Sequence, residues 1–109
     1  MKLKAFAIHD SVAQAFNTPF FMHNAGIAVR VFQDNVNSDD ENNISKHPEQ
    51  FVLFELGEYD DSTGIITPYD SPKALHTGIE LKNPTPEDDF LKELKTLKSY
   101  LANKPNIEV

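Results

Sequence analysis

Histidines and carboxylates are the side chains of this sequence that could carry acid–base or metal chemistry. The histidines are His9, His23, His47 and His76, and no two of them have the helical spacing that places two metal ligands on one face. We therefore interpret each histidine as a structural or surface residue and predict no metal site. The chain has no cysteine, which excludes disulfides and thiolate ligands.

Carboxylates gather around the segment Asp60-Asp61-Ser62-Thr63-Gly64. A calcium loop needs oxygen ligands at alternating positions and a closing glutamate, whereas here the aspartates are adjacent and no glutamate follows the glycine in the loop. Glu55 and Glu58 precede this segment, and one inward carboxylate would allow an acid–base pair. The simpler interpretation is a solvent-facing strand edge and a solvated turn. We predict no catalytic residues, no cofactor and a protein that is not an enzyme.

The charge of the chain, −7 in total, is unevenly distributed. Residues 31–72 contain ten acidic residues and one basic residue and carry −9, while the remainder contains seven acidic and nine basic residues and carries +2. Phosphates are repelled by the acidic block, so any nucleic-acid contact is expected outside it. The candidate nucleic-acid-binding residues are Lys2, Lys4, Arg30 and Lys73.

Three phenylalanines near the N-terminus bear on the same question. Phe16, Phe20 and Phe21 would stack on bases if they were exposed, but pairs of phenylalanines more often lie in a core. The residues alone therefore rank protein binding above DNA binding.

The N-terminal half of the chain predicts strands followed by a helix. Lys2 to His9 is apolar on both faces and predicts a strand in the core, Val12 to Phe16 is ambiguous, and Phe20 to Met22 is a candidate second strand. Asn24 is a candidate N-cap for a helix. The apolar face of that helix is Ala25, Ala28, Val29, Phe32 and Val36, and the alternation of Ile27, Val29 and Val31 leaves a strand as the rival interpretation.

The central part of the chain predicts a hairpin. Residues 37–43 are polar and predict an exposed, mobile loop. Phe51 to Tyr59 is the strongest strand pattern, and Ile65 to Thr67 returns as its partner after the turn. Ser71 and Pro72 predict a short helix that runs to His76, and Gly78 to Leu81 predicts a closing strand.

The C-terminal segment predicts an amphipathic helix. Thr85 is its candidate N-cap and Pro86 its first residue, while Asn103 and Pro105 end it. We expect residues 1–82 to form a single α+β domain, and residues 83–109 to be a helical extension packed on that domain or on a partner copy. The apolar stripe of this helix is the predicted interface of a homo-oligomer, most simply a dimer: Phe90, Leu94, Leu97 and Leu101.

The fold class that follows is α+β. We predict a small antiparallel sheet of three or four strands with helices on one face and an added C-terminal amphipathic helix. A chain of 109 residues has room for one domain. No secretory leader and no apolar run of membrane-spanning length is seen, so we expect a soluble protein with no membrane contact.

Several stretches together resemble the small non-structural protein of gokushovirus-type microviruses, which are single-stranded-DNA bacteriophages (Microviridae). The resemblance covers about residues 1–82. Its main carrier is Lys46-His47-Pro48-Glu49, continuing through Leu53-Phe54-Glu55-Leu56-Gly57 to Asp60-Asp61-Ser62-Thr63-Gly64. Further matching stretches are the opening MKLKAF with Asp10-Ser11, Pro19-Phe20-Phe21, Gly26 to Asp34 with Val36-Asn37, Ser71-Pro72 with Leu75, and Gly78-Ile79-Glu80.

The resemblance implies a phage protein made in the host cytoplasm and linked to viral single-stranded-DNA synthesis or its coupling to packaging. Proteins of this kind are often described as DNA-binding, and the resemblance supplies no catalytic residues. The leading hypothesis is thus a non-catalytic accessory that binds single-stranded DNA or phage replication proteins. The alternative is an oligomeric module that contacts capsid-assembly or host proteins through the acidic central block.

Overall fold

The computed structural model describes residues 1–40, 42–84 and 86–103, with side chains at 1–40, 42–84 and 93–102. A short 3₁₀ turn, Pro48–Gln50, precedes the fourth strand. The strands and helices are β1 (Lys2–Asp10), β2 (Ala15–Phe16), β3 (Phe20–Met22), α1 (Ala25–Val36), α2 (Asn43–Lys46), β4 (Phe51–Asp60), β5 (Ile65–Thr77), α3 (Gly78–Leu81) and α4 (Pro86–Asn103).

The strands form one antiparallel sheet in the order β2-β1-β4-β5, and β3 pairs with β1 along the same edge as β2. The α+β class is confirmed. The sheet has five strands in the described residues, where the sequence predicted three or four. The additional strand is the two-residue β2, which comes from the segment whose pattern was ambiguous. β1 lies inside the sheet, with β4 on its other edge.

The core lies between one face of this sheet and helix α1. Phe6 and Ile8 of β1 pack there with Phe51 and Leu53 of β4. Phe6 and Leu53 are fully buried. Since side chains alternate along a strand, the residues between them point to the opposite face. This alternation divides the sheet into a helix-covered face and an open face, the face away from α1.

Helix α1 follows the predicted pattern, and the rival strand interpretation was wrong. Asn24 Oδ1 accepts a hydrogen bond of 3.0 Å from the backbone N–H of Ile27, which satisfies one of the free donors at the helix start. Ala28, Phe32 and Val36 are buried on the side that meets the sheet. Spacings of three and four residues therefore decided this element correctly.

The hairpin of β4 and β5 was predicted, but its second strand is much longer than expected. The helix predicted from Ser71-Pro72 to His76 was wrong, because these residues continue β5, where Lys73 pairs with Glu55 and His76 with Leu53. Residues 69–72 bulge out of the ladder, so Pro72 removes no ladder hydrogen bond.

The strand predicted over Gly78 to Leu81 was also wrong, since these residues form the short helix α3. Thr77 Oγ1 accepts from the Glu80 N–H at 3.3 Å, and the Glu80 carboxylate accepts from the Thr77 N–H at 3.2 Å. This reciprocal capping box stabilises a helical turn directly after β5. Gly78 packs so tightly on the carbonyl of Pro48 that a Cβ atom would collide with it.

The loop predicted at residues 37–43 is only partly exposed. Asp39 and Asp40 are exposed, Glu41 lies outside the described residues, and Asn43 already begins α2. Asn37 is half-buried, and it donates to the Leu81 carbonyl at 3.0 Å and accepts from the Asn83 N–H at 2.7 Å. Through these bonds the end of α1 holds the chain just before α4.

Helix α4 begins at Pro86, as predicted, while its candidate cap Thr85 and the terminating Pro105 lie outside the described residues. Every described side chain of α4 is exposed. The structure measures 79 × 26 × 22 Å, and its radius of gyration is 20.3 Å, against about 13 Å for a compact domain of this size. The packing of α4 on this domain or on a second copy stays a prediction. No helix within the described ranges has the length and apolarity needed to cross a membrane.

Candidate binding face of the sheet

An aromatic cluster occupies one half of the open face. The ring of His9 lies edge-on to Phe16, with 4.8 Å between ring centroids, and 6.1 Å from Phe54. Phe16 and Phe54 meet edge-to-face at 5.3 Å. The pairing of β1 with both β2 and β4 brings these three rings together, since each residue comes from a different strand. Phe16 nevertheless remains 45% exposed.

An apolar hollow of about 220 Å³ occupies the other half of the open face. Phe21, 39% exposed, stands at its edge and packs against Tyr59 with 5.2 Å between ring centroids. The lining residues come from β1, from β3 and the residue just before it, and from the hairpin of β4 and β5: Ala5, Pro19, Phe21, Leu56, Gly57, Ile66 and Pro68.

Neither the aromatic cluster nor the hollow contains Asp, Glu, Lys or Arg. Together they form an apolar, ring-rich surface on the side of the sheet that α1 leaves uncovered. An exposed apolar patch of this kind is a common mark of a macromolecular contact. Edge-to-face packing also stabilises the arrangement of the three rings.

Two ion pairs between β1 and β4 lie on the helix-covered side of the sheet. Lys2 Nζ is 3.8 Å from Glu58 Oε2, and Lys4 Nζ is 3.8 Å from Glu55 Oε2. The two lysines predicted to bind nucleic acid are thus side by side, as alternation along one strand requires. Each already has a carboxylate partner, so this corner of the protein is not a basic surface.

Glu55 is the buried member of that charged group, at 4% exposure. The Tyr69 hydroxyl donates to Glu55 Oε2 at 2.6 Å, and this bond, with partial burial, raises the pKa of Tyr69 to about 12. The prediction of a solvent-facing Glu55 was therefore wrong. The bulge in β5 places the Tyr69 hydroxyl where it can donate a hydrogen bond to the Glu55 carboxylate. Glu55 is therefore a buried structural residue whose hydrogen-bonding capacity is met within the chain.

Other acidic residues of the central block also have partners within the chain. Hydrogen bonds from the hydroxyl and the N–H of Ser62, at 2.6 and 3.0 Å, hold the pKa of Asp60 below its ordinary value. Asp61 accepts from the N-terminal ammonium of Met1 at 2.8 Å. The predicted hairpin turn is confirmed, and Gly64 takes the left-handed conformation there, with φ of 74°.

The remaining predicted nucleic-acid residues lie elsewhere. Arg30 is exposed on α1, and Lys73 is exposed on the edge strand β5. Lys82 donates to the carbonyls of Val36 and Ser45 at 3.2 and 3.5 Å, so it ties α1 to α2. Within the described residues, no three or more His, Asp or Glu side chains come together as metal ligands.

The open face was missed in the sequence because its members are distant from one another. Phe20 and Phe21 were interpreted together, as a pair that more often lies in a core than on a surface, whereas Phe20 packs against core residues and Phe21 faces the other way. Strand alternation within β3 was the signal that separated them. Phe16 came from a segment with no clear pattern, and only strand pairing places it beside His9 and Phe54.

The fold and this surface define a small α+β protein with a helix-covered sheet face and an open aromatic one. The chain belongs to the Phage ORF5 protein family, whose model matches residues 3–81. This match confirms a bacteriophage protein, and it ends before α4. No curated protein and no solved structure matches the chain.

Proposed function

We propose that this phage protein is a non-catalytic accessory in viral single-stranded-DNA replication or its coupling to packaging, and that it acts by binding a protein of the replication complex. The observation that carries the mode of binding is the open face, where the aromatic cluster and the apolar hollow expose rings without charged residues. The link to replication rests on the resemblance to microvirus non-structural proteins, and family membership supports a phage role.

Charge favours a protein partner over DNA at this surface. Binding to single-stranded DNA combines stacked bases with cations that follow the phosphates. Lys2 and Lys4 point to the other side of the sheet and have carboxylate partners there, while Arg30 lies on α1. The open face is apolar, and these three candidate cations do not lie on it. Such a surface suits the buried centre of a protein interface.

Direct binding of single-stranded DNA is the second candidate, since exposed rings on a sheet can stack on bases. Phe16 and Phe21 are the rings with enough exposure to do so. Lys73, exposed on the edge strand β5, is the candidate phosphate contact for this mode of binding. The acidic block is a weaker candidate for contacts with capsid-assembly or host proteins, because Glu55, Asp60 and Asp61 are already hydrogen-bonded within the chain.

The test compares two serine substitutions of similarly exposed residues on opposite sides of the molecule. Phe21 is 39% exposed on the open face and Val31 is 37% exposed on α1. Phage genomes that encode Phe21→Ser or Val31→Ser are compared for viral single-stranded DNA per infected cell. We expect Phe21→Ser to lower the yield and Val31→Ser to leave it unchanged; equal yields would contradict the proposal.

The nature of the partner is tested in two further measurements. A photo-crosslinking amino acid at position 16 should form an adduct with a phage-encoded protein in infected cells, and the same amino acid at position 31 should not. A titration of labelled oligothymidylate by fluorescence anisotropy is expected to show no binding at low salt. Binding that weakens steeply as salt rises would instead establish the DNA candidate.

A further inference from the structure

Helix α4 carries the repeat of a short coiled coil. Its apolar stripe, Phe90, Leu94, Leu97 and Leu101, has spacings of four, three and four residues, the alternation that defines a heptad repeat. In a heptad labelled a to g, Leu94 and Leu101 occupy position a, and Phe90 and Leu97 occupy position d. Phe90 belongs to this pattern by sequence, and its side chain lies outside the described ones.

The described side chains of the stripe have no cover in the single chain. Leu94 is exposed, Leu97 is 52% exposed and Leu101 is 57% exposed. Isolated helices of this length are marginal in water, and most helix stability in proteins comes from packing of an apolar face. An 18-residue helix with three exposed leucines would therefore be stabilised by a surface that buries those leucines.

The start of α4 is held on the far side of the sheet from the open face. The Asn83 N–H donates to Asn37 Oδ1, at the end of α1, and Pro86 already begins the helix. α4 therefore begins next to the end of α1, on the side of the sheet opposite the open face.

We propose that α4 pairs with α4 of a second copy as a parallel two-stranded coiled coil. In this register Glu93 is at position g and Lys98 at position e of the next heptad, the two positions that form ion pairs between parallel helices. Two such pairs, related by the twofold axis, flank the leucine layers. In an antiparallel pair, position g faces g and position e faces e. Glu93 of one helix would then not lie beside Lys98 of the other, and the ion pair would not form.

Parallel pairing places both α+β domains at the same end of the coiled coil. The assembly then presents two open faces side by side, and a partner with two sites gains affinity through the high effective concentration of the second. This inference is independent of the proposed function, since it rests on α4 alone. The two proposals can fail independently, because one is tested with substitutions on the open face and the other with substitutions on α4.

The first test is the mass of the full-length protein by sedimentation equilibrium over a range of concentrations. We expect the mass to rise toward that of a dimer as concentration rises, and Leu97→Asp to abolish the rise. Ser99→Asp is the matched control, since position f points away from the seam and should leave the rise intact. A wild-type mass that stays at one chain, or a Leu97→Asp protein that still dimerises, would overturn the proposal. Leu97 is exposed in the monomer, so the domain of this variant stays folded.

The second test uses the absence of native cysteine to report orientation. In a parallel pair, position d faces itself, so Leu97→Cys should form a disulfide-linked dimer in a glutathione buffer while Ser99→Cys should not. A mixture of Leu94→Cys and Leu97→Cys that forms mainly the mixed disulfide would overturn the parallel arrangement. A mixed disulfide between Leu97→Cys and Phe54→Cys would overturn it too, since it would place α4 on the open face of the other copy.

Discussion

The hydroxyl of Tyr69 lies 2.6 Å from Oε2 of Glu55, although 14 residues separate them along the hairpin. The bulge at residues 69–72 allows this contact, because it shifts the register of the edge strand β5 next to the buried Glu55 of β4. Lys4 approaches the same oxygen from β1, so three strands contribute to one charged group. A buried carboxylate is tolerated in this way only where donors reach it.

Tyr69→Phe removes the donor and leaves Glu55 buried with Lys4 as its remaining partner. We expect the free energy of unfolding in urea to fall by about 1–3 kcal/mol, the cost of an unmet hydrogen bond to a charged acceptor. Tyr100→Phe is the control, since Tyr100 is 62% exposed on α4 and should unfold at the same urea concentration as the wild type. Equal stability of Tyr69→Phe and the wild type would mean that the contact contributes nothing.

Alkaline titration reports the same contact through ionisation of the phenol. The folded pKa of Tyr69 is raised from 10.0 to about 12, chiefly by its hydrogen bond to Glu55. A raised folded pKa means that this stabilisation is complete below the unfolded pKa and is lost as pH rises from about 10 through about 12. Phenolate absorbance should show a delayed step near the upper value. That step should be missing from Tyr69→Phe; its persistence would assign it to another tyrosine.

Gly78→Ala tests the tight packing of α3 against the 3₁₀ turn. The added methyl group would collide with the backbone carbonyl of Pro48, so either the turn or α3 must move. We expect a loss of about 1–3 kcal/mol in the free energy of unfolding, typical of overpacking. Ile79→Ala, one residue later and 56% exposed, should change stability far less. Circular dichroism melts of the two variants give the comparison, and a similar change in both would refute it.

Asn37→Ala tests the junction between the domain and α4. Asn37 donates to the carbonyls of Gln33 and Leu81 and accepts from the Asn83 N–H, all at 3.0 Å or less. We expect a loss of about 1–2 kcal/mol in the free energy of unfolding, on the scale of one or two partly buried hydrogen bonds, measured by urea unfolding. Asn35→Ala, at an exposed α1 position, is the control. Hydrogen exchange at Asn83 should rise in Asn37→Ala alone, and unchanged exchange would show that the side chain does not hold the junction.

Local patterns were enough for several elements. Asn24 followed by Ala28, Phe32 and Val36 predicts α1, because capping and helical spacing act within a few residues. The hairpin of β4 and β5 could likewise be predicted from its apolar strands and from Gly64 in the turn. The stripe of α4 belongs to the same kind of pattern.

Two of the wrong predictions, the helix from Ser71 and the solvent-facing Glu55, depended on a partner elsewhere in the chain, whereas the strand predicted over Gly78 to Leu81 overlooked a local capping signal. Ser71-Pro72 has the local form of a helix start, yet Lys73 and His76 gain more by pairing with β4. Gly78 to Leu81 has a strand-like composition, yet the Thr77–Glu80 capping box turns it into a helix. Glu55 has the charge of a surface residue and is buried because Tyr69 and Lys4 reach it.

The α+β class, helix α1, the hairpin, the uneven charge and the apolar stripe of α4 could all be read from the sequence alone. These depend on spacing along the chain and on side-chain chemistry, both of which are written in the sequence. Only the tertiary structure decided the open face, because His9, Phe16 and Phe54 come from three strands and meet through strand pairing. It likewise decided that Lys2 and Lys4 face carboxylates, since alternation turns them to the side of the sheet where Glu58 and Glu55 lie.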